Sequence, residues 1–257
     1  MYKIDFNHPI HVHFIGIGGI SMSGLAEILL KEGFTVSGSD SKESPLTKKL
    51  ESEGAQIFYG QKAENIIPGI GCVIYTAAIG RSNPELIEAV AQKLPLLTRA
   101  ELLGQLMKNY DTPIAVSGTH GKTTTTSMIS HILLEGNLDP TISVGGILKA
   151  IGGNIRVGNS ETFITEACEY TNSFLHFFPK ISVILNIEED HLDFFKDLED
   201  IRHSFHQFAA LLPEDGTLII NGDIKDYSEI CEGLSCNVVT YGSSESFDYS
   251  ADNITYD

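Results

Sequence analysis

The chain has 257 residues, 42% of them apolar, with 34 acidic and 17 basic side chains and a formal net charge of −17. A surplus of that size repels nucleic acid and anionic membrane alike, so a phosphate ligand has to be held by local backbone donors and a few placed cations. No apolar run approaches the ~20 residues that span a bilayer and the N-terminus has no signal-peptide core, which predicts a cytoplasmic protein without a membrane partner.

The first unit opens with a strand at His11-Val12-His13-Phe14-Ile15, followed by the glycine loop Gly16 to Gly24. A helix through Leu25, Ile28 and Leu29 ends at Gly33, and a second strand from Phe34 to Gly38 finishes in Ser39-Asp40. This is a βαβ mononucleotide-binding arrangement. The dinucleotide fingerprint wants a glycine where Ser21 stands, although Asp40 is an acid at about the right distance, some 20 residues on. The residues alone leave open a pyrophosphate at the first helix or a tight turn with no ligand.

Helix and strand then alternate: a helix from Pro45 to Glu53, strands at Gln56–Tyr59 and Cys72–Tyr75, a helix opened by Ser82-Asn83-Pro84-Glu85, and a short strand at Leu96-Leu97. Such alternation predicts a parallel sheet with helices on both faces. Arg99 to Asn109 reads as a connecting helix, and Asp111-Thr112-Pro113 marks the expected boundary between a domain over 1–110 and another over 111–257.

The second domain starts with a short apolar run, Ile114-Ala115-Val116, that leads through Ser117-Gly118-Thr119-His120-Gly121 into Lys122-Thr123-Thr124. A helical pattern follows, with Met128, Ile129, Ile132 and Leu133 on one face. Strand, glycine loop and helix in this order present backbone N–H groups and the helix dipole to a polyphosphate, with Lys122 adding charge and Thr123 a hydroxyl for Mg²⁺. The spacing is compact, since the general phosphate loop has a glycine where Val116 stands. A threonine-rich helix start after an ordinary turn is the alternative.

Further strands are expected at Thr141–Val144, ending in Gly145-Gly146, at Phe163–Thr165, running into Glu166-Ala167-Cys168-Glu169, and at Ile181–Leu185, running into Asn186 to His191. Ligand crevices in parallel sheets lie outside the carboxyl ends of the strands, which would put Lys122, Glu166 and His191 along one edge. Glu166 is a hard oxygen ligand for Mg²⁺ or a solvated loop acid; His191 suits a second, Mn²⁺-tolerant position or a structural role. A helix with Leu198, Ile201, Phe205, Phe208 and Leu212 on one face leaves His203 and His206 at the surface. Strands at Leu218–Ile220 and Val238–Tyr241 follow, and another begins near Ser250 and runs toward Asp257. Cys72, Cys168, Cys231 and Cys236 have neither zinc-ribbon nor secreted-disulfide spacing and are expected to be reduced and mostly buried.

Taken together, these segments resemble the Mur ligases. The likeness is carried by Gly118-Thr119-His120-Gly121-Lys122-Thr123-Thr124, His13 to Gly19, Gly38-Ser39-Asp40, Ala78 to Glu85, Arg99-Ala100-Glu101, Glu166 to Tyr170 and Asn186 to His191. The resemblance implies an α/β chain: a Rossmann-like N-terminal domain for UDP-N-acetylmuramate, followed by an incomplete ATP-binding domain of phosphate-loop type. It implies that Gly18, Gly19 and Ile20 lie near the pyrophosphate, with Ser39 and Asp40 completing the substrate contacts. Gly118, Thr119, His120, Gly121, Lys122, Thr123 and Thr124 would hold ATP, and Thr123, Glu166 and His191 the divalent metal, Mg²⁺ or Mn²⁺.

The activity implied is ATP-dependent ligation of L-alanine to UDP-N-acetylmuramate through an acyl phosphate, an early step of peptidoglycan synthesis, with Lys122, Glu166 and His191 catalytic. The family's third domain has no counterpart in this sequence, so the chain alone is expected to bind ATP weakly and not to turn over. Alternatives are a peptide-recycling Mur-type ligase, a non-catalytic uridine-nucleotide-binding fragment, or a nicotinamide oxidoreductase, which Ser21 and the second phosphate loop disfavour.

Overall fold

A computed structural model describes residues 2–76, 78–251 and 255. Chain contacts group into two compact units, Met1–Gln105 with Gly145–Val157, and Leu106–Val144 with Gly158–Asp257.

The first unit alternates strictly. Strand β1 (His11–Ile15) leads to helix α1 (Ile20–Lys31), β2 (Thr35–Asp40), α2 (Pro45–Ser52), β3 (Gln56–Tyr59), β4 (Ile70–Tyr75), α3 (Pro84–Ala91), β5 (Leu96–Thr98) and α4 (Arg99–Met107). Local chemistry sets the helix starts: Ser44 caps α2 in a reciprocal capping box and Asn83 accepts from the amides of Glu85 and Leu86, each with proline just inside the helix. The strands form one parallel sheet in the order β3-β2-β1-β4-β5, the arrangement expected from the alternation. Strand β2 runs two residues past the expected end, so Ser39 and Asp40 belong to it and face the loop after β1. Ile15, Ile66, Ile70, Val73 and Ala89 make a buried cluster, against which Leu86, Leu94 and Leu96 pack.

The second unit starts at β6 (Thr112–Ser117), which absorbs Thr112 and Pro113 from the expected boundary. After it in the chain come α5 (Lys122–Glu135), β7 (Thr141–Leu148), β8 (Gly153–Arg156), β9 (Thr162–Glu166), β10 (Ile181–Ile184), α6 (Leu198–Ala209), β11 (Thr217–Asn221), α7 (Tyr227–Ile230), β12 (Asn237–Gly242) and β13 (Tyr249–Ser250), of which β8 and the end of β7 from Gly145 on group by contact with the first unit. The sheet order is β13-β12-β11-β10-β6-β9-β7-β8, and β6 lies parallel between β9 and β10. The carboxyl ends of three neighbouring strands therefore converge on the loop after β6.

Helix α6 buries Ile201, Phe205 and Phe208 as its periodicity requires; Phe174 stacks on Phe208 at 4.6 Å and meets Phe205 edge-on at 5.4 Å. His203 is exposed and His206 half-buried, its Nδ1 3.1 Å from the Ile230 carbonyl.

Three expectations need correction. Strand β7 continues through Gly145-Gly146 to Leu148, since glycine can occupy extended backbone and the pairing partner, not the residue, decides where a strand stops. Helix α5 buries Thr126 and Ser130 and exposes Met128 (61%) and Ile132 (69%), the reverse of its apolar pattern. It lies against β6 and β9, and small side chains are what allow a helix after a tight loop to sit that close. Of the four free cysteines only Cys72 is fully buried, its thiol pushed up to about 12 by loss of solvent, while the other three are half-buried. The expected final strand falls largely on 252–254 and 256–257, outside the described residues.

Candidate functional site

The loop between β6 and α5 turns at Gly118, with φ +146, where a Cβ would stand 3.0 Å from Leu185 Cβ and 3.2 Å from the Asn186 nitrogen. Only glycine fits that approach. The following residues are fastened to the segment leaving β10. Asn186 Oδ1 accepts the His120 amide at 2.7 Å, Asn186 Nδ2 donates to the His120 carbonyl at 3.0 Å, and Thr119 Oγ1 accepts the Glu188 amide at 2.9 Å. These three hydrogen bonds fix the shape of the loop from within the protein.

Lys122, the first residue of α5, donates from Nζ to the Gly118 carbonyl at 2.6 Å, the Thr119 carbonyl at 3.2 Å and Glu169 Oε2 at 2.9 Å. Glu169 is 2% exposed, so the only cation in the loop is matched by a buried carboxylate. Next to it, Thr123 donates its hydroxyl to Glu166 Oε2 at 2.9 Å. Two hard oxygen donors therefore stand together beside the loop, a pair whose chemistry suits Mg²⁺. His191, at φ 52, lies against Tyr170 with ring centroids 4.5 Å apart and the planes tilted by 32°. Tyr170 donates to Asp193 at 2.8 Å, and that bond raises its pKa. Among the described residues no three histidine, cysteine or carboxylate side chains form a ready-made ion cluster. Thus Lys122, Thr123 and Glu166 come together at the expected edge, while the contacts of His191 are with Tyr170 and its own neighbours. Gly121, at φ 83, caps α5, and Thr124 is exposed on its first turn.

The glycine loop of the first unit is built differently. The Ser39 carbonyl accepts the amides of Gly16 at 2.8 Å and Ile17 at 2.9 Å, and Asp40 Oδ2 accepts that of Gly18 at 2.8 Å. A Cβ on Gly18 would lie 2.7 Å from that oxygen. Asp40 Oδ1 accepts the Ser41 amide, so the acid that a dinucleotide site would turn to a ribose is engaged at both oxygens. The Ser39 hydroxyl donates to buried Glu85 at 2.6 Å; Asn65 also donates to Glu85, and His13 Nε2 lies 3.9 Å away. Burial alone raises the Glu85 pKa, and His13, Ser39 and Asn65 more than offset it, holding the carboxyl below its ordinary value. Helix α1 begins at Ile20 with Gly19 as an N-cap that brings no side-chain acceptor, so the amides of Ile20, Ser21 and Met22 have no partner within the helix. Arg99 reaches the Ser21 hydroxyl at 3.0 Å.

Three residues of this machinery went unsingled in the sequence: Glu169, Asn186 and Glu85. Asn186 is the one with a local signal, as a side-chain amide at the end of a strand expected to flank the phosphate loop.

A lysine–threonine glycine loop at the carboxyl edge of a parallel sheet, after a Rossmann-like unit, defines an α/β protein with a loop of the phosphate-loop type. Comparison with known proteins narrows the class: residues 11–111 match the Mur ligase family, catalytic domain, and residues 116–257 the Mur ligase middle domain. The chain belongs to the Mur ligase family. It is 65% identical over 257 residues to a UDP-N-acetylmuramate–L-alanine ligase of Agathobacter rectalis, covering 100% of this chain and 56% of that protein. A second such ligase, from Lachnospira eligens, is 60% identical over 258 aligned positions, again with 56% of its length covered. The chain thus spans little more than half the length of these relatives. Among solved structures, UDP-N-acetylmuramate-alanine ligase MurC from Thermotoga maritima matches with a TM-score of 0.80 and 30% identity, covering 95% of this chain and 54% of that one. UDP-N-acetylmuramate:L-alanyl-gamma-D-glutamyl-meso-diaminopimelate ligase from Neisseria meningitides matches with a TM-score of 0.87 and 28% identity, covering 97% and 82%.

Proposed function

We propose that this chain supplies the UDP-N-acetylmuramate-binding and ATP-binding parts of a ligase that joins L-alanine to the lactyl carboxylate of UDP-N-acetylmuramate. The observation that carries the reading is the preshaped loop with Lys122 and the Thr123–Glu166 pair, in a chain 65% identical to a protein named for that reaction. In the first step the lactyl carboxylate attacks the γ-phosphate of ATP, forming an acyl phosphate and releasing ADP. The amine of L-alanine then adds to the acyl carbon and phosphate leaves.

Lys122 places a fixed positive charge at the transferring phosphoryl group, and the amides of the loop, held in place by Asn186, orient the phosphates. Gly118, Thr119, His120, Gly121 and Thr124 complete that cradle. Thr123, Glu166 and His191 are the residues that would hold a divalent cation, Mg²⁺ or Mn²⁺, which when bound neutralises charge on the phosphates. In the first unit Gly18, Gly19 and Ile20 lie at the pyrophosphate, Ser39 and Asp40 fix the loop that receives it, and the first-turn amides of α1 serve as donors.

The test is a melting experiment on this chain. UDP-N-acetylmuramate should raise the melting temperature in proportion to its binding to the native state, and NAD should leave it unchanged. A larger shift with NAD would overturn the assignment of the first unit.

A further inference from the structure

We propose that Tyr170 is a positioning residue for His191: backbone strain and a hydrogen bond fix the Tyr170 ring, and that ring fixes the imidazole in the orientation a bound divalent cation requires. The inference rests on the reading of His191 as a metal-holding residue and concerns a side chain to which that reading gives no part.

Backbone strain singles the place out. Six non-glycine residues among the described ones have left-handed φ, and three of them, Thr171 (φ 55), Asn172 (φ 56) and His191 (φ 52), flank one side-chain contact. Lys93 and Asn137, by contrast, follow the ends of α3 and α5, where a left-handed residue commonly closes a helix. A β-branched threonine in that region is an outlier, and strain of this kind persists only where the surroundings over-determine it. On one side, the Asn172 amide donates to the Glu169 carbonyl at 2.9 Å, Asn172 Oδ1 accepts the Ser204 hydroxyl at 2.5 Å, and Phe174 is fully buried. On the other, the His191 carbonyl accepts the amides of Phe194 at 2.9 Å and of buried Phe195 at 3.0 Å.

Between these two fixed backbones lies the Tyr170 side chain. Its ring centroid is 4.5 Å from that of His191, it meets Phe194 edge to face at 6.1 Å, and its hydroxyl donates to Asp193 at 2.8 Å. The imidazole has little else to hold it. A metal-ligating histidine ordinarily donates its second ring N–H to a carboxylate or carbonyl, which sets the ring orientation. Among the described residues neither ring nitrogen of His191 makes a hydrogen bond: Nδ1 stands 3.9 Å from Asp190 Oδ1, which accepts the His191 backbone amide at 2.7 Å. The side chain is 34% exposed, so solvent alone would let the ring swing. Contact with the Tyr170 ring limits that rotation without occupying either nitrogen. The neighbouring Glu169 is paired to Lys122, so the turn that carries Tyr170 is tied to the glycine loop, and His191 is registered against that loop through it.

The experiment is an NMR titration of this chain with Mn²⁺ alone at fixed pH, for the parent, His191→Gln, Tyr170→Leu and Tyr170→Phe. Affinity is read as the Mn²⁺ concentration that broadens away half of the Thr123 amide signal, and the imidazole signal of His191 is the one missing from His191→Gln. Tyr170→Leu should weaken Mn²⁺ binding about tenfold, as for loss of a group that orients a metal ligand, while Tyr170→Phe, which keeps the ring, should stay within about threefold of the parent. Before any metal is added, the His191 signal should lose its ring-current shift in Tyr170→Leu and keep it in Tyr170→Phe. A Tyr170→Leu protein with the parent's Mn²⁺ affinity, or a Tyr170→Phe protein that loses as much as Tyr170→Leu, would overturn the proposal. Should Tyr170→Leu fail to fold, Thr171→Gly decides, since it frees the turn and keeps Tyr170, Asp193 and His191. It should weaken Mn²⁺ binding about threefold and shift the His191 signal, and a protein unchanged in both would overturn the proposal. A His191→Gln protein that binds Mn²⁺ as the parent does would overturn the metal reading of His191 itself; loss in His191→Gln but not in Tyr170→Leu would sink this inference alone.

Discussion

The two glycine loops of this chain occupy the same place in their units, between a first strand and the helix that follows, and are held in opposite ways. In the first, the neighbouring strand β2 fills the loop from inside: the Ser39 carbonyl and the Asp40 carboxylate take the amides of Gly16, Ile17 and Gly18. In the second, the segment leaving β10 grips the loop through Asn186, and the loop carries its own lysine, paired to Glu169. A glycine-rich turn is thus no measure of the ligand it serves. What matters is which backbone donors remain after the protein has satisfied its own, and that depends on residues 20 to 70 positions away.

The comparison can be broken first by glycine substitution. Gly118→Ala forces a side chain into left-handed backbone against Leu185 and the Asn186 backbone, and should cost about 3 kcal/mol of stability. Gly18→Ala meets the movable end of Asp40 and, at 3.0 Å, the buried Thr47 methyl, with no backbone in the way, and should cost less, about 1–2 kcal/mol, chiefly the hydrogen bond it breaks. Urea unfolding of both variants checks the order, and equal costs would mean the two loops are gripped alike. Asn186→Ala comes next: loss of a two-point clasp at the surface should cost about 1 kcal/mol or less and speed hydrogen exchange at the His120 amide, leaving the Gly18 amide unaffected.

The smallest effect is one of pH. Because the Glu85 pKa is lowered in the folded state, its contribution to stability is present above its ordinary value of 4.5 and is lost as pH falls through the folded value. Glu85→Gln should therefore flatten the acid limb of the stability curve below about pH 4.5 while leaving its neutral part parallel to the parent's. An unchanged acid limb would remove Glu85 from the support of the first loop.

Much of the architecture was legible because periodicity and caps are local. Ser82-Asn83-Pro84-Glu85 announced one helix and a second was legible from Pro45, and the alternation of elements announced parallel sheets. Lys122, Thr123 and Glu166 were legible as a group because strand ends in a parallel sheet share an edge. What escaped was set by tertiary neighbours. Strand β8 is four residues long and has no alternating pattern, and β7 passes two glycines to end at Leu148. The inward face of α5 is threonine and serine because clearance from the sheet, not hydrophobicity, chooses it. Glu169 is just three positions beyond Glu166, yet nothing in its spacing says that it turns to Lys122 rather than to solvent.

The account holds that the chain carries two separate phosphate-binding loops for two different ligands, and one paired titration tests this directly. UDP-N-acetylmuramate and ATP with excess Mg²⁺ are titrated into the parent and into Lys122→Ala. ATP affinity should fall about 10²-fold in the variant, as for loss of a charged hydrogen-bond donor, while UDP-N-acetylmuramate affinity stays within about twofold, which also shows that the variant is folded. An unchanged ATP affinity, or a parallel loss of both ligands in a folded variant, would contradict it.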